Sequence, residues 1–335
     1  MITGLGLIQQ GLFFGFFITL LVSFISQYLY PLIQKPISSL NPTLQARIVF
    51  LWSILPILTV FIILFLALLP SLFQITGISN DHCLGHIEGH LHFCLAHRNA
   101  PVNSLFVWIP AIIFLAHLSY IALNFLVDIC ETVRFKNKLS SLIPESEKDI
   151  VVLDTNTPLA LSCGLLKQTI YLSKGLLKCL TEEEKNIIIA HEKAHIWRRD
   201  ALAKLFSRSL SLMHFPGTRS SLLNHLTLAC EQSCDNAAAE KNGDNKKVAE
   251  LLLKVERLYQ GHFFTSSSLA SSLLDQPSNL LPDRIQSLVA EQHYPSIVLP
   301  LILSISLLSF SLLIGHEFIH DALEHLIFLF TSNHS

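Results

Sequence analysis

The chain alternates long apolar runs with polar connections whose Lys and Arg fall mainly to one side. From about Leu5 to Tyr30 nearly every residue is apolar, with Leu12-Phe13-Phe14-Gly15-Phe16-Phe17-Ile18-Thr19-Leu20-Leu21-Val22 at the centre. A helix of that length crosses a hydrocarbon layer of ~30 Å. No Lys or Arg precedes the run, and a secretory signal would need a basic start and a small-residue cleavage site, so the pattern predicts a retained span with its N-terminus outside. Pro31 to Arg47 carries Lys35 and Arg47 and no acid, which assigns it to the cytoplasm. A second span is expected from Ile48 to about Ile75, with Pro56 and Pro70 inside it, and a third from about Leu105 to Val127, leaving into Arg134, Lys136 and Lys138. That basic exit marks the cytoplasmic side again. A fourth span, about Ile297 to Ile314, returns the chain to the outside. Beyond it His316, His320, Asp321, Glu324 and His325 oppose Phe318, Ile319, Leu323, Leu326 and Leu329, the pattern of an interfacial amphipathic helix.

Between the third and fourth spans the pattern changes. Asp149-Ile150-Val151-Val152-Leu153 and Gln168-Thr169-Ile170-Tyr171-Leu172 read as short strands, the second following a turn-like Ser162-Cys163-Gly164. Thr181 ahead of Glu182, Glu183 and Glu184 forms a capping-box signature that opens a helix through His191 and His195. Composition supports the division: of 335 residues, 51% are hydrophobic and only 14% charged, against ~25% charged in an ordinary soluble domain. Of the 48 Asp, Glu, Lys and Arg, 39 lie between Glu131 and Glu291, an interval long enough to bury its own core. The expected fold is a mainly α membrane protein, with four transmembrane helices and a cytoplasmic α+β domain inserted between helices 3 and 4. Its divisions are 1–128, three spans with a His-rich extracytosolic loop at about 77–101; 129–295, the cytoplasmic domain; 296–315, the fourth span; and 316–335, the extracytosolic tail. A formal net charge of -2 lacks the basic signature of a protein that binds nucleic acid directly.

Candidate chemistry lies in Ala190-His191-Glu192-Lys193-Ala194-His195-Ile196-Trp197-Arg198-Arg199-Asp200. At i, i+4 the two imidazoles share a helix face on which they can hold Zn²⁺, with Glu192 beside them to act on water. Two His ligands need a third donor that still leaves one position open. Glu231, in Ala229-Cys230-Glu231-Gln232-Ser233-Cys234-Asp235 on a later helix after a loop around Phe215-Pro216-Gly217, is the best candidate, and Cys230 and Cys234 are softer alternatives. Asp235, one turn on, can accept a hydrogen bond from the non-ligating nitrogen of a metal-bound His. Arg198, Arg199 and Asp200 read as structural salt-bridge or helix-end groups, and His214, His225 and His262 as packed or surface residues. Spacing alone does not decide, because His316-Glu317-Phe318-Ile319-His320 repeats the same pattern.

With its surroundings, the first copy resembles the membrane-embedded gluzincin peptidases, most closely the BlaR/MecR-type antibiotic-sensing transducers, with the HtpX and CAAX-prenyl-protease types as cousins. Leu180-Thr181-Glu182-Glu183-Glu184, His191-Glu192-Lys193-Ala194-His195, Arg198-Arg199-Asp200, and Glu231-x-x-x-Asp235 followed by Ala237-Ala238 carry the resemblance, which spans roughly Asp154 to Glu256. Pro158 to Gly164, with the strand ending at Leu172, looks like the family's substrate-side edge strand. The resemblance implies a gluzincin domain with one catalytic Zn²⁺ held by His191, His195 and Glu231, Glu192 as general base, Asp235 behind the ligands, and hydrolysis of peptide bonds. Its implied partners are a polypeptide substrate, a cytosolic repressor among the candidates, and the lipid bilayer; a homo-oligomer is compatible with it. The implied location is the bacterial inner membrane, both termini outside and the catalytic domain cytoplasmic. The family's antibiotic sensors carry a penicillin-binding domain after the fourth span, where this chain has about twenty residues, so β-lactam sensing is not expected. A signalling endopeptidase acting on a cytosolic regulator, itself or a membrane-associated protein is the leading reading. An HtpX-like quality-control protease and a non-catalytic metal-sensing receptor or accessory protein are the alternatives.

The second copy abuts a span and no folded domain follows it, so catalysis is not expected there. Its His316, His320 and Glu324 fall on the side assigned to the loop bearing His82, Cys83, His86, His90, His92, Cys94 and His97. With nine of the sixteen histidines on that side, one expectation is a metal-binding sensor or pH-responsive patch; the other is a solvated loop closed by a Cys83 to Cys94 disulfide.

Overall fold

A computed structural model describes residues 4–77, 101–141, 149–260 and 280–290, and positions 315, 318–319, 322–323 and 325 near the C-terminus. The first apolar run folds as α1 (Leu5–Ser38), which continues past its apolar part through Pro31 and Pro36. Asn41 then caps α2 (Pro42–Ser53), its side chain accepting from the Thr43 N–H at 2.9 Å. After a break at Ile54 comes α3 (Leu55–Ile75). The apolar stretch expected as one span from Ile48 to Ile75 is thus two helices. Pro56 has no N–H to continue the α2 ladder, and it sits in the first turn of α3, where that donor would lack an intrahelical partner anyway. The third run becomes α4 (Leu105–Ser140), which carries Arg134, Lys136 and Lys138 on the same helix.

The three helices α1, α3 and α4 are each long and apolar enough to cross a membrane. They meet in a cluster of Phe13, Phe14, Ala67, Val102 and Val107, into which Ile319 and Leu323 of the tail also pack. Leu323 is buried there. At one end Gln9 spans the Val102 backbone, donating to its carbonyl at 2.9 Å and accepting from its N–H at 2.8 Å, which satisfies main-chain groups among apolar neighbours. The fourth expected span, 297–314, lies outside the described residues.

The polar half begins with three short strands, β1 (Ile150–Leu153), β2 (Ala160–Cys163) and β3 (Thr169–Ser173), in the order β1-β3-β2. β1 runs parallel to β3 and β2 antiparallel to it. Ser162 and Cys163 are thus strand residues, and the chain turns one residue later at Gly164, whose φ of 123° only glycine adopts readily. Helices follow: α5 (Lys174–Lys178), α6 (Glu182–Arg198), α7 (Asp200–Leu210), α8 (Pro216–Asn242), α9 (Asn245–Gln260) and α10 (Leu281–Val289).

α8 is the element on which the rest depends. One face packs Ala238 and Ala239 against Leu176, Leu180, Ile187, Ala190, Val248, Leu251 and Leu288, the core of the polar half. The other packs Leu222, Leu226, Ala229 and Cys230 against Tyr30 of α1 and Ala46 and Val49 of α2. Leu222 and Leu226 are fully buried, each stabilising this junction by roughly 1.5–3 kcal/mol. Polar contacts fix the register: the Tyr30 hydroxyl meets His225 Nδ1 at 2.9 Å, and His214 Nε2 donates to the Trp52 carbonyl at 3.0 Å. His214 and His225 therefore tie the polar half to the apolar helices.

Candidate metal centre

The site is built where α6, α7, α8 and α10 converge. Thr181 and Glu184 form a reciprocal capping box, with Thr181 Oγ1 accepting from the Glu184 N–H at 3.3 Å and Glu184 Oε2 from the Thr181 N–H at 2.7 Å. The helix so started carries His191 and His195 one turn apart, their Nε2 atoms 3.2 Å from each other. It ends at Arg199, whose left-handed conformation (φ 56°, ψ 39°) caps α6 and starts α7 at once. That tight corner swings Asp200 back under the histidines, with Oδ2 2.8 Å from His195 Nδ1. Arg198 holds the other side of this carboxylate at 3.2 Å and donates to Thr43 Oγ1, in the first turn of α2, at 2.9 Å.

Across from α6, α8 supplies the acids. Glu231 Oε2 lies 3.6 Å from His191 Nε2, and Oε1 lies 3.6 Å from His195 Nε2. Asp235, one turn further, places Oδ1 3.0 Å from His191 Nδ1. Arg284 of α10 grips Asp235 through two 2.7 Å hydrogen bonds and brings Nη1 to 3.5 Å from Glu231 Oε2. Lys204 of α7 brings Nζ to 3.2 Å from Glu231 Oε1. Each histidine thus has its Nδ1 against a carboxylate and its Nε2 aimed at the common point.

The charges are strongly coupled. Burial works against ionisation of Glu231, but Lys204 and His195 outweigh it and hold this carboxyl well below the usual carboxylate range. Asp235, likewise opposed by burial, is kept low by Arg284. Burial disfavours the charged form of His191, yet its hydrogen bonds to Asp235 and Glu231 push it up to about 10. Metal and proton therefore compete for the same nitrogen, and binding a cation releases protons.

The donor set fits one tetrahedral ion. Zinc at ~2.0–2.1 Å from each of two nitrogens sets them ~3.3 Å apart, and the observed separation is 3.2 Å. His191, His195 and Glu231 each offer an atom within 4.8 Å of the others, three donors that could hold a metal ion. A second grouping, His195, Asp200 and Cys234, also comes together, but Asp200 is committed to Arg198. Burial, with the charges of Asp200 and Glu231, drives the Cys234 thiol well above its ordinary value, and burial raises Cys230 to about 12.

Glu192 is buried, follows His191 directly, and has no ion-pair partner among the described residues. β2 lies against α6, and among the described residues no strand pairs with its outer edge. Tyr259, near the end of α9, is raised to about 12 by burial; its hydroxyl meets the Ala160 N–H at the start of β2 and feels the Glu192 charge.

Asp200, Lys204, Arg284, Tyr259 and Thr43 join the site without having been marked as site residues by sequence. Asp200 does form the expected salt bridge with Arg198, and it holds His195 as well. The remaining candidates, His82, Cys83, His86, His90, His92, Cys94, His97, His316, His320 and Glu324, lie outside the described residues.

Helices fit to cross a membrane, joined to a domain that gathers two histidines and a glutamate about one point, define a membrane protein with a peptidase-like metal site. The chain belongs to the BlaR1 peptidase M56 family, whose model matches residues 99–288, and it is accordingly a membrane metallopeptidase. The match runs from just before α4 into α10 and so includes every residue of the site except Thr43. No curated protein and no solved structure matches the chain.

Proposed function

We propose that this chain is a zinc endopeptidase of the bacterial inner membrane that cuts a cytosolic regulator, itself or a membrane-associated protein in response to an extracytosolic signal. The observation that carries the reading is the convergence of His191, His195 and Glu231 donor atoms within 4.8 Å, in a chain of a peptidase family. His191, His195 and Glu231 would hold the ion. Asp235 and Asp200 each accept from an Nδ1–H, which would keep that proton off the ligating side and orient each Nε2 toward the ion that displaces its proton. Zinc bound there supplies Lewis acidity, polarising the scissile carbonyl and lowering the pKa of the attacking water. Glu192, beside His191, would take a proton from the attacking water and pass it to the leaving amine. A substrate segment laid in extended form along the outer edge of β2 presents its backbone to α6, and main-chain pairing accepts many sequences. The basic exit of α4, Arg134, Lys136 and Lys138, supports a cytoplasmic position for the domain.

The test is metal content and hydrolysis in the detergent-solubilised full chain. One zinc per chain is expected in the wild type and in Glu192→Gln, with hydrolysis of a casein substrate in the wild type alone. Hydrolysis should vanish on chelation and return with zinc. Hydrolysis that survives both the substitution and chelation contradicts the proposal.

A further inference from the structure

The three structural carboxylates of the site are matched by three cations: Asp200 has Arg198 at 3.2 Å, Asp235 has Arg284 at 2.7 Å, and Glu231 has Lys204 at 3.2 Å, with Arg284 also 3.5 Å from Glu231. Glu192 alone stands outside these pairs among the described residues, so with neutral histidines the cluster carries about one uncompensated negative charge. A divalent ion is held more strongly as the net negative charge around it grows, and that charge grows if one of the cations is able to leave.

The three cations differ in mobility. Arg284 is 5% exposed and locked to Asp235 by two hydrogen bonds. Arg198 is fastened at both ends, to Asp200 and to Thr43. Lys204 is 35% exposed at its side chain, has Glu231 as its one ion-pair partner among the described residues, and ends a flexible four-carbon stem. Its Nζ sits on the same carboxylate that the proposed zinc site uses as third ligand, and a dication at ligating distance from that carboxylate is strongly repelled by an ammonium so close to it.

We infer that Lys204 is a resident counter-cation of the metal site, which occupies Glu231 and is exchanged for the incoming divalent ion. With neutral histidines its departure takes the cluster from about one to about two net negative charges, while Arg284 stays 3.5 Å from Glu231. The lysine thereby lowers the affinity for metal. This inference rests on the assignment of Glu231 as a ligand.

The test measures zinc affinity of the full chain in detergent by competition with a chromogenic chelator. Lys204→Met keeps the stem and removes the charge, and it should bind zinc at least about tenfold more tightly, a floor set by partial exposure of the ammonium. Lys204→Arg keeps a charge and should stay within about threefold of the wild type. As a second readout, the melting temperature of the Lys204→Met chain should be lower than wild type without zinc and should rise more on adding it. Unchanged or weaker affinity in Lys204→Met, with the wild type binding one zinc that His191→Ala abolishes, overturns the counter-cation and leaves the metal site standing. A wild type whose zinc binding ignores His191→Ala overturns both.

Discussion

The most exposed consequence of this site is what happens when Asp235 is replaced. Its side chain is fully buried, takes two 2.7 Å hydrogen bonds from Arg284, and faces His191 Nδ1 at 3.0 Å. Removing one partner of a buried ion pair costs ~3–5 kcal/mol, because the other charge stays in a poorly solvating place. Total stability is ~5–15 kcal/mol for a typical domain, so Asp235→Asn should bring the polar half close to unfolding. Replacing both members, Asp235→Leu with Arg284→Met, removes the stranded charge, and such double changes are often neutral or stabilising. Zinc affinity should behave differently: His191 loses the carboxylate behind it in both variants, replaced by a neutral amide acceptor in Asp235→Asn and by no acceptor in the double variant, so the double variant should bind zinc ~10–100-fold more weakly and the single one should be weakened less. Urea midpoints of the full chain in detergent and chelator competition measure the two effects separately. A single variant as stable as the wild type, or a double variant no better than the single one, would falsify the buried-pair account. Full zinc affinity in the double variant would separate Asp235 from the metal site.

Further outcomes can be checked alongside. Asp200→Asn should weaken zinc binding ~10–100-fold through His195, as the corner residue also orients a ligand; an unchanged chelator-competition curve counts against that role. Glu184→Gln keeps the capping box and removes the Lys254 pair, a partly exposed contact of ~0.2–1 kcal/mol. Burial opposes the Glu184 charge, but Lys254 and the Thr181 N–H lower its folded pKa below 4.5. Its contribution is therefore present above pH 4.5 and lost as pH falls through the folded value, so wild-type and variant melting temperatures should converge in acid. Convergence at alkaline pH instead would be the wrong sign. Tyr259→Phe leaves the Ala160 N–H without that acceptor, which should cost ~1 kcal/mol and raise KM more than it lowers kcat, since Ala160 opens the edge strand. Equal KM values in steady-state peptide assays would remove Tyr259 from the substrate side.

Local signals in the chain carry the architecture well where they are strong. Apolar runs predict α1, α3 and α4, and Thr181 with Glu184 marks the start of α6, because a capping box is written in four adjacent residues. Pro56 was visible, yet whether a proline kinks a long span or separates two helices depends on packing, here of α2 along α8. Residues 160–163 read partly as turn because Gly164 follows; the strand is made by its antiparallel partner β3. The three donor atoms can be named from i, i+4 spacing and one later Glu. Their cations cannot: Lys204 lies on the next helix and Arg284 is 49 residues beyond Asp235, so only the tertiary fold pairs them. Asp200 sits beside the motif, but its reach to His195 depends on the left-handed Arg199 corner, which no side-chain pattern announces.

The most direct test of the central claim is a comparison of protein N-termini in cells expressing the wild type or Glu192→Gln at equal levels, across cell-envelope stresses. The account predicts new N-termini in at least one cytosolic or membrane protein, or in the chain itself, present with the wild type and missing with Glu192→Gln. Identical N-termini in the two strains under every stress, with zinc bound by both proteins, would contradict it.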